Sequence, residues 1–279
     1  MTISRNTVFQ LFKYSVYVLL AMNVYWFFAE EFAAARVQFP NGVALADMIE
    51  AYAATIDTFA WVVLLLMFEL ETYVLEDRHF TKRATWTLHG LRIICYGFII
   101  YAFYGYIINL TTMEAAAVLP GISDLCALAN GAWSYAIDFD EYATITIDNC
   151  ATLSQAGAYL KFANMAAIVD TAGHDAIIGL AWIDVINAGV WLLVVFILEL
   201  DVRLQEHGRY EGLTLRLSNV IKFVLYATLL YAAVYWGIKG DFVDFWDAFL
   251  WLVAFVFIEL NVFEWRHESL EATTAGVTD

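Results

Sequence analysis

Six long apolar stretches constrain this chain more than any other feature of its 279 residues. They lie near residues 12–30, 55–75, 90–110, 176–200, 219–238 and 245–264. Each approaches the roughly 20 residues that an α-helix needs to cross about 30 Å of hydrocarbon. The hydrophobic share of 62% also exceeds that of ordinary soluble domains. The sequence therefore predicts an all-α integral membrane protein with six transmembrane helices.

The distribution of Lys and Arg predicts the orientation, because short cytoplasmic loops retain basic residues. Of the 14 basic residues, Arg36, Lys161 and Lys239 fall in connections on one side, and the other 11 (14 − 3) fall on the opposite side. Both termini are therefore predicted to be cytoplasmic, in an inner (plasma) membrane. The acidic residues concentrate on the outer side, where they repel nucleic acid and raise the local concentration of cations.

The even-numbered spans carry one spaced pattern three times. It reads Asp57, Trp61, Glu69, Leu70 and Glu71 in the first copy, Asn187, Trp191, Glu199, Leu200 and Asp201 in the second, and Asp247, Trp251, Glu259, Leu260 and Asn261 in the third. The odd-numbered spans carry a basic residue and a tyrosine four positions later, as Lys13 and Tyr17, Arg92 and Tyr96, and Lys222 and Tyr226. Two patterns that each occur three times, on alternate spans, indicate an internal repeat.

The repeat predicts three parallel helical hairpins, arranged as a pseudo-threefold bundle about an axis along the membrane normal. The hairpins cover residues 1–83, 84–210 and 211–279, and the last one ends in a short cytoplasmic tail.

Three acids lie about one turn from the cytoplasmic ends of the even spans, and the three basic residues lie at similar depth on the odd spans. A buried charge is tolerated when it is paired. We therefore expect intramembrane ion pairs within the hairpins, namely Lys13 with Glu69, Arg92 with Glu199, and Lys222 with Glu259. The alternative is a conducting or proton-relaying role for these acids.

A second polar set lies toward the outer ends of the even spans and contains Asp57, Asp184, Asn187 and Asp247. No basic residue lies at this level in any span. Intramembrane acids are costly and point to function, so this set is a candidate ion or proton site. The alternatives are protonated acids that hydrogen-bond within the bundle, and simple exposure at the helix mouths.

Residues 111–175, between spans 3 and 4, predict a small outer lobe. Cys126 and Cys150 fall in it, and two cysteines in one loop on the oxidising side of the membrane predict a disulfide. Alternating apolar residues over 133–147 predict a short β-hairpin within the lobe.

The sequence contains no nucleotide-binding loop, nucleophile–base arrangement or zinc motif, and its spans lack the ligands that haem or retinal needs. No cofactor, metal site or catalytic residue is predicted. The leading hypothesis is a pathway for monovalent cations or protons. The alternative is a non-catalytic accessory or scaffold subunit that binds other membrane subunits in a larger inner-membrane assembly. A third hypothesis is an outer-side thiol sensor or enzyme. The expected partners include the lipid bilayer and exclude nucleic acid.

Overall fold

A computed structural model of the protein describes residues 5–71, 82–155, 157–207 and 212–255. Its longer helices are α1 (Arg5–Gln38), α3 (Ala53–Glu69), α4 (Lys82–Glu114), α6 (Thr171–Glu206), α7 (Leu213–Lys239) and α8 (residues 242–255). A short helix, α2 (Met48–Ala51), precedes α3. Within the described part, four helical segments are long and apolar enough to cross a membrane: Thr7–Gln38, Thr85–Glu114, Thr171–Asp201 and Leu213–Lys239.

The predicted second and sixth spans begin in helices α3 and α8. Each of these helices leads into residues outside the described part, 72–81 after α3 and 256–279 after α8. Six spans and three hairpins therefore stay predictions, and Glu259 lies outside the described residues.

The chain divides into two compact units, residues 1–23 with 230–279, and residues 24–229. In the first unit, the buried core includes Leu20, Trp236, Leu250 and Ala254. These are large or close-packing apolar side chains on helices, so their burial provides the main stabilisation of the unit.

In the second unit, helix α4 packs against both α3 and α6. Ala60, Cys95 and Ile99 are buried there, with Leu192 of α6 against them. Gly105 marks a close approach, since a Cβ atom on it would lie 2.6 Å from the backbone oxygen of Ile49. A larger residue at Gly105 would push α4 away from α2.

The start of α3 is held by an acid from another helix. Glu31 of α1 accepts hydrogen bonds from the backbone N–H groups of Ala54 (2.7 Å) and Thr55 (3.0 Å), and from the Thr55 hydroxyl (2.5 Å). The first N–H groups of a helix have no partner within it, and a carboxylate there also interacts favourably with the helix dipole. Glu31 therefore links the first turn of α3 to α1.

Residues 115–170, called the lobe below, form a small mixed structure, so the all-α description is too narrow for the whole chain. The strands are β1 (Ala117–Val118), β2 (Ser134–Ala136), β3 (Tyr142–Thr144), β4 (Tyr159–Lys161) and β5 (Ala167–Asp170), with a 3₁₀ turn at Leu125–Leu128 and a short helix α5 (Cys150–Leu153). The strand order is β1-β4-β5-β2-β3, with β2 and β5 parallel and the other neighbours antiparallel. The predicted hairpin within 133–147 is confirmed as β2 and β3.

The predicted disulfide is confirmed, and it joins Cys126 to Cys150. Around it, Leu125, Ile145 and Tyr159 are almost fully buried and form one core of the lobe. The covalent link therefore joins the 3₁₀ turn to α5 beside this core.

A second core joins the lobe to the helices that lead into and out of it. Phe162 and Val169 of the lobe are buried with Met113 of α4 and Ile177 of α6. Asp170 also accepts hydrogen bonds from the Tyr135 hydroxyl (2.8 Å) and from the backbone N–H of Gly173 at the start of α6 (3.1 Å). Burial, reinforced by Asp170, raises the pKa of Tyr135, so this tyrosine remains a hydrogen-bond donor. The lobe is thus packed directly onto the helix ends.

Replacement of both Cys126 and Cys150 by serine is expected to lower the free energy of unfolding of the lobe by about 3 kcal/mol. The physical reason is that the disulfide closes a loop whose ends are 24 residues apart. Limited proteolysis should then cut within residues 115–170 at a lower temperature than in the wild type. A reducing agent should reproduce this shift in the wild type and cause no further shift in the double variant. Equal protection of the reduced and oxidised lobe would contradict the prediction.

Candidate functional site

An acid and an amide meet inside the first compact unit. The Asn23 side chain of α1 is fully buried, and its Nδ2 donates a hydrogen bond of 2.7 Å to Oδ1 of Asp247 in α8. The Trp251 side chain, one turn further along α8, also hydrogen-bonds to the Asp247 carboxylate. The Asn23 Oδ1 atom is buried and has no partner among the described residues. Asp247 is thus held by neutral donors.

The other three members of the predicted outer set lie in the second unit. Asp57, Asp184 and Asn187 are each partly buried. The Asn187 Oδ1 atom is shielded from solvent and has no hydrogen bond within the described residues. Nothing in the described contacts gathers the four predicted residues into one site, and their grouping stays a prediction.

The repeat-equivalent tryptophans of the first two copies contact each other. The ring centroids of Trp61 in α3 and Trp191 in α6 lie 6.0 Å apart, a separation typical of favourable aromatic pairs. Each belongs to an even-numbered predicted span. The even helices of the first two predicted hairpins are therefore neighbours at this level.

Arg92 pairs with an acid of the preceding hairpin. Its Nη2 lies 2.6 Å from Oε2 of Glu71. The two residues lie on either side of the connection between α3 and α4. Both side chains are about three-quarters buried. Charged hydrogen bonds of this kind strengthen as water is excluded.

Lys222 makes the equivalent contact in the next connection. Its Nζ lies 2.9 Å from Oδ2 of Asp201, and the Ser218 hydroxyl, one turn earlier on α7, is 2.7 Å from each oxygen of the same carboxylate. The side chain of Asp201 is only 7% exposed. A buried carboxylate with a cation and a hydroxyl as partners avoids most of its desolvation penalty.

For Arg92 the described ion pair is with Glu71 rather than with the predicted Glu199, whereas the predicted pairing of Lys222 with Glu259 stays a prediction, because Glu259 lies outside the described residues. The acid that was expected for Arg92, Glu199, instead lies 3.9 Å from Arg203 on the surface of its own helix. Two residues correspond to about 200° around a helix, so Glu199 and Asp201 face nearly opposite ways. Spacing alone does not show that Asp201 faces Lys222 of α7.

The remaining predicted charges are Lys13, Glu69 and Glu259. Lys13 is fully buried and Glu69 is 5% exposed. Burial of these two groups requires compensation, as the sequence argument assumed. Glu259 lies outside the described part of the chain.

Three site residues escaped the sequence prediction. Glu71 and Asp201 are part of the repeat pattern and follow Glu69 and Glu199 by two positions. Asn23 had no repeated counterpart, because the positions ten residues after Arg92 and Lys222 are Ala102 and Ala232. The only available signal for Asn23 was its amide side chain within an apolar stretch.

No protein family matches this sequence, and no characterised protein or solved structure is significantly similar to it. The function is therefore argued from the site alone. Within residues 5–71, 82–155, 157–207 and 212–255, no group of three His, Cys, Asp or Glu side chains is placed to hold a metal ion.

The pair of Lys222 and Asp201 is expected to behave as a coupled unit. Lys222→Met and Asp201→Asn should each lower the free energy of unfolding by about 3 kcal/mol, because each leaves one buried charge or dipole uncompensated. The double variant should recover about 1–3 kcal/mol of the summed loss. Thermal unfolding of the detergent-purified protein measures all three changes.

A matched control is the exposed pair Arg203 and Glu199, whose side chains are 74% and 49% exposed. Arg203→Gln and Glu199→Gln should change stability little, singly or together. Strictly additive losses in the Lys222 and Asp201 cycle would contradict a shared interaction.

Proposed function

We propose that this protein forms a pathway for protons or monovalent cations across an inner (plasma) membrane, with Asp247 as a binding group in that pathway. The observation that carries the proposal is the hydrogen bond between Asn23 and Asp247. An acid within apolar surroundings is costly, and a neutral amide does not cancel its charge as Arg or Lys would. Asp247 is therefore suited to bind and release a cation or proton.

The amide partner suits both protonation states of the acid. When Asp247 is ionised, it accepts the Nδ2–H group of Asn23. When Asp247 is protonated, its O–H group can donate to the Asn23 Oδ1 atom, which has no other described partner. An amide offers both a donor and an acceptor, so rotation of the amide or carboxyl group preserves a hydrogen bond in each state.

The ion pairs support the proposed architecture of three hairpins. Arg92 with Glu71 and Lys222 with Asp201 occupy equivalent positions of the repeat, and each pair is separated by 21 residues. Both join the return helix of one proposed hairpin to the outgoing helix of the next. We propose that these pairs hold the hairpins together, while six spans, cytoplasmic termini and an outer lobe follow from hydropathy, the distribution of basic residues and the disulfide.

Purified protein in liposomes tests the pathway. The wild type should dissipate a proton or monovalent-cation gradient, and Asp247→Asn should lower the flux by about tenfold or more, because the amide cannot exchange a proton. Asp57→Asn combined with Asp247→Asn should lower it at least as far. Glu114→Gln is the matched control, since Glu114 is an exposed acid at the end of α4. Absence of wild-type flux under a potential of either sign would exclude the pathway.

A second candidate function is an accessory or scaffold subunit of a larger membrane assembly. The observation in its favour is that Arg92 and Lys222 are both engaged in packing contacts between helices. Such contacts give a rigid body without requiring transport. Purification in mild detergent should then bring down a partner subunit in a fixed ratio, and a monodisperse protein without crosslinks in native membranes would contradict this function. The disulfide between Cys126 and Cys150 argues against an outer-side thiol sensor, which needs a free thiol at one of these residues.

A further inference from the structure

An apolar groove of about 730 Å³ lies within the second compact unit, between the C-terminal end of α1 and the start of α3. Phe28, Phe32 and Tyr52 form its aromatic wall, and the Phe28 ring stacks on both of the others with centroids 5.8 Å apart. Val43, Met48 and Ile56 also line it. Its volume is within the range of known ligand sites.

A polar cavity of about 340 Å³ adjoins the groove, and Phe39, Pro40 and Gly42 line both. The acidic residues Asp47 and Glu50 line this cavity. None of its lining residues is Lys or Arg. The cavity is therefore negatively charged, while the groove beside it is apolar.

One buried side chain in the cavity points to a ligand. Asn109 of α4 lines the cavity and is only 8% exposed, and none of the described hydrogen bonds involves its amide. Glu50, by comparison, accepts a hydrogen bond of 2.9 Å from the Thr112 hydroxyl. The Asn109 amide is therefore accessible to a polar group that enters the cavity, and it offers both a donor and an acceptor.

A cation lies on the groove side of this arrangement. Arg36 lines the groove, and its guanidinium carbon lies 4.6 Å from the centroid of the Phe32 ring. Arg36 is exposed and can bind phosphate through several N–H groups at once. The order of features is thus an apolar groove with an arginine, followed by a cavity with two carboxylates.

We propose that the groove and cavity together bind one zwitterionic phospholipid with an amine headgroup. An acyl chain occupies the aromatic groove, the phosphate lies at Arg36, and the ammonium group enters the cavity between Asp47 and Glu50, where Asn109 adds a hydrogen-bond partner. The opposite charges of the two regions match the two charges of such a headgroup. A lipid whose headgroup carries only negative charge has no ammonium group to offset the two carboxylates.

This lipid site is distinct from the proposed pathway, since none of its residues takes part in the contact between Asn23 and Asp247. The two proposals therefore fail or succeed separately. A protein without lipid selectivity could still conduct protons or cations, so the flux experiment would still test the pathway.

Lipid competition on the full-length protein tests the site. The delipidated protein is exposed to equal amounts of dioleoyl phosphatidylethanolamine and dioleoyl phosphatidylglycerol, and the bound lipids are counted by native mass spectrometry. The wild type should retain phosphatidylethanolamine preferentially. Asp47→Asn combined with Glu50→Gln should shift the ratio toward phosphatidylglycerol by roughly tenfold, and each single change should shift it less. Glu114→Gln, a nearby exposed acid outside the cavity, should keep the wild-type ratio.

A second pair of variants tests the groove. Val43→Trp should fill it and reduce the binding of both lipids, while Val220→Trp, on an exposed face of α7, should not. O-phosphoethanolamine carries the headgroup without chains and should compete only weakly. Equal retention of the two lipids by the wild type would overturn the proposal. Competition by O-phosphoethanolamine as strong as that by the lipid would also overturn it, because the occupant would then be a water-soluble amine.

Discussion

The cost of a charge in apolar surroundings controls much of this structure. Arg92 and Lys222 lie within helical segments that are apolar enough to cross a membrane, and neither could remain there without a partner. Glu71 and Asp201 supply those partners from the helix that precedes each connection. Because both pairs span 21 residues, the same solution is used twice. Each pair holds the start of one helix against the end of the one before it.

The lobe places irregular backbone next to long helices, and its backbone polar groups need hydrogen-bond partners. Its strands satisfy their N–H and C=O groups in a five-stranded sheet, and Phe162 and Val169 bury apolar surface against α4 and α6. The disulfide then restricts the segments that the sheet does not order. The polar cavity lies where the lobe meets the helices. Glu50 of α2 and Asn109 of α4 line it from the helices, and residues 163–165 line it from the lobe.

The contrast between two kinds of partner connects structure to function. Glu71 and Asp201 face cations and are thereby committed to packing, whereas Asp247 faces an amide and an indole. The cation beside Glu71 or Asp201 offsets the charge of that acid, whereas the neutral donors around Asp247 do not. The charge of the neighbouring side chain thus distinguishes the acids that stabilise the fold, which face Arg or Lys, from the acid proposed as a binding group in the pathway, which faces Asn.

The sequence by itself determined the apolar helices, the presence of a lobe, its disulfide and the hairpin of β2 and β3, because length, periodicity and cysteine content are local properties. It also indicated that Arg92 and Lys222 need acidic partners. Tertiary structure decided that Arg92 meets Glu71 and that Lys222 meets Asp201, because helix packing sets which face of each helix lies against its neighbour. Likewise, the parallel pairing of β2 with β5 and the contact of Asn23 with Asp247, 224 residues apart, depend on long-range packing that no local pattern encodes.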